Sequence, residues 1–124
     1  MSHAAFSAKI FAFYLFILAT VLVLAPNFLL ALVGMAPTSE VWIRVIGLLV
    51  LNIGVFAWVA AKHEDRHFFA ASVPTRCIVF VGLAGFAAAG FASPVIILFG
   101  ALDAAGGLWT HFALKVDAQQ FQRI

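Results

Sequence analysis

Seven Lys or Arg and five Asp or Glu carry all the fixed charge in 124 residues. Two of them, Arg44 and Asp103, fall inside long apolar runs. A charge at the centre of a membrane-spanning helix costs about 2.5–3.5 kcal/mol on insertion scales, so such residues face protein and find partners. Arg44 lies four residues beyond Glu40, and Asp103 nine residues beyond Pro94. At 1.5 Å per residue, Arg44 is roughly 6 Å and Asp103 roughly 13 Å below one membrane boundary. An arginine side chain covers much of that difference. The spacing predicts an Arg44–Asp103 contact, with Glu40 completing the cluster and Asn52 extending a polar path inward. Such a group can clamp two helices in register or hold an ion or ligand. It can also shift a carboxyl toward acid–base work. Thr110 and His111, on the same helix as Asp103, are secondary candidates.

Other chemistry is poorly supported. His63 and His67 have an i, i+4 spacing that suits a metal on one helix face. They sit in a short charged turn where histidines are ordinary, so no metal site is expected. No second embedded histidine matches the depth of His111, so haem and other cofactors are not expected either. The chain has no GxSxG, HExxH, P-loop or CxxC motif, which leans against an enzyme. The single Cys77 allows no internal disulfide. A net charge of +2 without a basic stripe argues against nucleic-acid binding.

The elements that position these residues follow from composition. The chain is 65% hydrophobic and 10% charged, far from the balance of soluble domains. Four runs reach the roughly 20 apolar residues that span a bilayer: about 6–25, 40–62, 74–92 and 94–115. They lack the period-two alternation of barrel strands. The expected fold is all-α, one domain over residues 1–124, an antiparallel bundle of four transmembrane helices. The first run imitates a signal peptide but is long for one. Lys9, Lys62, Arg66, Arg76, Lys115 and Arg123 group on one side of the membrane, and the loops on the other side have none. That bias places both termini in the cytoplasm. Phe28 to Val33 is apolar and meets Gly34, which predicts a short interfacial helix between helices 1 and 2, ended by the glycine. Thr38 or Ser39 should cap the second helix, with Ser72 ahead of Pro74 opening the third.

Helices associate in lipid through small residues and polar contacts. Gly85-x-x-x-Ala89 and Gly100-x-x-x-Ala104 should bring helices 3 and 4 together, or form a homodimer seam. Glu40, Arg44, Gly47, Leu51, Gly54 and Trp58 share one stripe of helix 2, which should face protein.

The run Thr38-Ser-Glu-Val-Trp-Ile-Arg-Val-Ile-Gly47 and the later Leu98-Phe-Gly-Ala-Leu-Asp103 resemble small bacterial inner-membrane proteins of the DoxX-like kind. The resemblance implies a four-helix bundle in a bacterial inner membrane, associated with quinone-linked or respiratory enzymes. It assigns no functional residue. The foremost reading is a non-catalytic accessory subunit that binds lipid or quinone, alone or within a larger membrane complex. That reading predicts a greasy lateral groove. One alternative is a small dimeric transporter or channel, with Glu40, Arg44, Asn52, Asp103 and His111 on one wet path. The other is a membrane enzyme acting on a lipid-soluble substrate.

Overall fold

The computed structural model describes residues 1–123. The chain forms α1 (His3–Leu24), α2 (Pro26–Leu32), α3 (Trp42–Lys62), α4 (Arg66–Ala88), a 3-10 turn (Pro94–Ile96) and α5 (Ile97–Gln122). Four elements, α1, α3, α4 and Pro94–Gln122, are long and apolar enough to cross a membrane. The fold is the expected all-α bundle with a short helix between the first two spans.

Local chemistry sets most of the boundaries. The Ser2 hydroxyl accepts from the Ala5 amide and starts α1. Pro26 cannot continue α1, because it has no N–H, but suits the first position of α2. Gly34 ends α2 at φ +72°, and the Met35 amide closes back on the Leu30 carbonyl. α3 begins at Trp42, two residues later than expected, so Glu40 lies outside the helix. Thr38 caps nothing there: its hydroxyl accepts from the Glu40 amide, and its own amide donates to Asn27 Oδ1.

The third span differs most from expectation. α4 starts at Arg66, where the Asp65 carboxylate accepts from the His67 and Phe68 amides. Pro74 therefore lies inside the helix. Pro74 offers no N–H to the Ala70 carbonyl, and membrane helices tolerate this through local adjustments and nearby hydroxyls. Ser72 donates to the Phe69 carbonyl and Thr75 to the Ala71 carbonyl. Ser72 is thus an interior residue, not a cap. α4 ends at Ala88 rather than 92, with Gly90 at φ +82° turning the chain. α5 runs past the expected 115 to Gln122, because Asp117 has a partner. His63 closes α3 while His67 opens α4, so the pair does not share one helix face.

The helices associate as two tight pairs, α1 with α3 and α4 with α5. Gly47 and Gly54 of α3 press on Leu22 and Phe16 of α1, where an added Cβ would come within about 3 Å. In the other pair Gly100 lies against the Phe80 backbone. Gly82 and Gly85 meet nothing within 4 Å, so the α4–α5 seam uses the glycines of α5 and not the Gly85-x-x-x-Ala89 step. The core is split. One cluster gathers Ala4, Ala5, Ala8, Ala60, Ala61, Phe69 and Ala113 near the chain termini. The other gathers Leu22, Leu30 and Ile43 at the opposite end.

Hydrogen bonds lock the pairs together at the end that holds the termini. The Asp117 carboxylate accepts from the His3 and Ala4 amides at 3.0 and 2.9 Å and meets His3 Nδ1 at 2.9 Å. Glu64 accepts from the Ser2 amide and hydroxyl at 2.8 and 2.6 Å. These carboxylates satisfy amides at the start of α1, where the helix dipole also favours negative charge. Deeper, Ser7 and Thr110 hydroxyls meet at 2.9 Å, and Thr110 donates to the Gly106 carbonyl. Thr110, a candidate from its position near Asp103, is a structural contact between α1 and α5.

Two outcomes are expected from this clamp. Asp117→Ala leaves two charge-assisted hydrogen bonds unmade and should cost about 1–3 kcal/mol, read from unfolding titrations in mixed micelles. The Ser2 hydrogen bonds hold the Glu64 carboxyl below its ordinary value of 4.5. A depressed carboxyl contributes stability above its unfolded pKa and loses it as pH falls through the folded one. Hydrogen exchange at the start of α1 should therefore accelerate on acidification below about pH 4.5, and Glu64→Gln should remove that part of the pH dependence.

Candidate functional site

Splitting the core leaves a cavity between its halves. It encloses about 640 Å³, well within the range of small-molecule sites. α1 forms the back wall through Phe11, Tyr14, Leu15 and Leu18; α2 and Met35 cover one end; α3 and α4 form the sides. Ile46 and Ile53 of α3 line the cavity yet are exposed, as are Thr75 and Val79 of α4. The cavity therefore opens sideways between α3 and α4, helices that touch only slightly.

The lining is apolar except for one group of polar residues. Arg76 of α4 and Asp103 of α5 both reach the cavity. Arg76 Nε lies 3.8 Å from Asp103 Oδ1, with both side chains largely buried. Arg76 Cζ stacks 3.7 Å from the centroid of the Phe11 ring, a cation–π contact strengthened by the dry surroundings. Gly106 makes room for the guanidinium: a Cβ there would stand 2.7 Å from Arg76 Cζ. Gly107 lies against the Arg76 stem and the Val73 carbonyl, one turn before Arg76. Arg76 Nε is buried and has no hydrogen-bond partner. A buried donor without a partner is costly, and this one belongs to a guanidinium on the cavity wall. The Tyr14 side chain lies on the same cavity. Together these groups offer a cation, a carboxylate and a phenol at the base of a greasy pocket. They could hold an oxygen-bearing headgroup while apolar walls take a chain or ring.

The residues expected to form one cluster are dispersed. Arg44 does not reach Asp103; its Nη1 donates to the Val23 carbonyl. Val23 is in the last turn of α1, where carbonyls lack helical partners and a cation is favoured. Pro26 adds to that shortage, since it offers no N–H to the turn. Arg44 therefore clamps α3 to α1. Glu40, Asn52 and His111 are all exposed and do not join Asp103 at the cavity. His111 lies beside Phe112, ring centroids 5.6 Å apart. Among the described residues, no group of three His, Cys, Asp or Glu is placed to hold a metal ion.

A third span beginning at Pro74 sets Arg76 at its boundary, among the bases at the end that carries the termini; the structure sets it near the middle of α4. Asp65 three residues before the apolar Phe68-Phe69 is the missed signal, a cap that starts α4 eight residues before Pro74. Gly106-Gly107, one helical turn beyond Asp103 on the same helix, is the second signal: space reserved for a large side chain.

Removing one member of a buried ion pair strands the other charge, at about 3–5 kcal/mol. Arg76→Met should therefore destabilise the bundle by that amount, and Arg76→Met with Asp103→Leu should recover more than half of it. Unfolding titrations of the single and double variants measure both. The chain matches no protein-family model, no curated protein and no solved structure.

Proposed function

We propose that this is a non-catalytic membrane protein that holds an amphiphilic, lipid-soluble molecule of the lipid or quinone class in its lateral cavity. The observation that carries the reading is the apolar pocket of about 640 Å³ with a single polar base at Arg76 and Asp103. The apolar walls suit hydrocarbon or an isoprenoid chain. The Arg76 guanidinium on the cavity wall suits a carbonyl or phosphate oxygen. A side mouth between α3 and α4 lets such a molecule arrive from the bilayer without crossing water. The two core clusters close the cavity toward both ends, which weighs against a conducting path.

Setting and topology belong to the same proposal. Lys9, Lys62, Arg66, Lys115 and Arg123 all lie toward the end that carries the termini. Arg76 leaves that count because it lies within α4, and five bases remain on one side. The bias supports termini in the cytoplasm of a bacterium, with the bundle in its inner membrane. The resemblance of residues 38–47 and 98–103 to DoxX-like proteins is in keeping with a subunit that accompanies quinone-linked enzymes.

The test is retention of ligand in lipid nanodiscs by native mass spectrometry, with decylubiquinone and the host phospholipid as probes. The wild-type chain should retain one of the two. Leu18→Trp, which fills the cavity, should lower retention at least fivefold. Leu102→Trp, on an exposed face, should leave it unchanged. Equal retention by wild type and Leu18→Trp would sink the proposal, as would a wild-type chain that retains neither probe.

A further inference from the structure

Asn52 is ten residues from each end of α3 (Trp42–Lys62), about 15 Å from either. It occupies the driest depth of the span. It is exposed, and its amide takes no part in the side-chain hydrogen bonds among the described residues. It also points away from α1. Five residues from Gly47 and two from Gly54, it falls on the opposite side of the helix from the glycines that press on α1. The cavity stripe of Ile46, Val50 and Ile53 takes up a different flank.

The neighbours of Asn52 on this outer face form a pattern. Val45, Leu48, Asn52, Val55 and Val59 follow one another at alternating steps of three and four. That is a heptad seam, with Val45, Asn52 and Val59 at a and Leu48 and Val55 at d. The four apolar members are each 45–53% exposed, so about half of each side chain is left for a partner outside the chain. β-Branched residues at a favour two-stranded packing, and one asparagine at a fixes register and partner number. In lipid, an interhelical amide pair adds a contact that hydrocarbon cannot supply.

We infer that this face of α3 is a dimer seam and that its occupant is a second copy of this chain. An asparagine side chain carries both an acceptor and two donors. Two copies related by a twofold axis bring Asn52 to Asn52, and each amide satisfies the other. Membrane insertion gives both copies the same orientation, so their α3 helices run parallel, as the heptad requires. The seam lies beside the cavity mouth without entering it. Dimerisation and ligand retention are therefore separable.

Dimerisation in lipid bilayers at dilute protein, counted by single-molecule photobleaching, tests the seam. Asn52→Leu should weaken the dimer about 3- to 20-fold, the range that interhelical polar contacts span. Asn52→Gln should keep most of the affinity. The substitution to leucine suits a membrane helix, so loss of fold does not cloud the result. A second arm places single cysteines in a Cys77→Ser background, since Cys77 is exposed. Oxidative cross-linking should be strong at Leu48 and Val55, and at least tenfold weaker at Ile78 and Val81 of α4 and at Leu102 of α5. The inference is overturned by a monomeric wild type, by an Asn52→Leu dimer of unchanged strength, or by cross-links concentrated on α4.

Discussion

The carboxylate of Asp117 decides the shape of this bundle. Two helix pairs, each packed closely by glycine and alanine, have little reason of their own to adhere to each other in lipid. Asp117 and Glu64 supply one by accepting the first amides of α1 from two other elements. The Ser7–Thr110 contact and the alanine cluster follow from that closeness, since small side chains are what fit between helices so tightly joined. At the opposite end nothing comparable ties α3 to α4. α3 and α4 touch only slightly, and the cavity is the space left between the pairs.

That space explains how α4 tolerates an arginine near its middle. A guanidinium in hydrocarbon is expensive, and a lone Asp103 at 3.8 Å without a direct hydrogen bond compensates it only in part. Three other features lower the cost: the Phe11 ring against one face of the guanidinium, Gly106 and Gly107 giving it room, and an α5 backbone close enough to exclude lipid. What is left over is the unpartnered Nε. A chain selected only for stability would replace such a pair with well-packed apolar residues. Stability alone therefore does not account for a charged pair at the floor of this pocket.

Much of the architecture was legible in the sequence because the bilayer leaves the chain few options. Span length, the Pro26 break and the Gly34 stop each have one physical outcome, and the structure shows them. The interior was less legible. Pro74 reads as a helix start by the statistics of soluble helices, but a membrane helix tolerates it in its interior, here with the Ser72 and Thr75 hydroxyls bonded to neighbouring carbonyls. That one residue moved Arg76 from the boundary of the span to its middle, beside the Asp103 expected to pair with Arg44. Depth along the helix axis, the basis for pairing Arg44 with Asp103, says nothing about direction around it. Arg44 turns toward the end of α1, and Asp103 turns toward α4. Asp117 and Glu64 could not be found by pattern at all, because their partners are backbone amides more than 60 residues away.

The clamp at the start of α1 also bears on the order of assembly. A ribosome delivers α1 first, and it enters the membrane with the amides of His3 and Ala4 still lacking their acceptor. The acceptor is made 113 to 114 residues later, at the far end of α5. Until α5 is inserted, the first helix can be threaded and oriented but not seated. The glycine seam of α1 with α3 needs no residue of α5, whereas the first amides of α1 do. α5 closes the circle of contacts, so errors in α5 will show themselves at the start of α1.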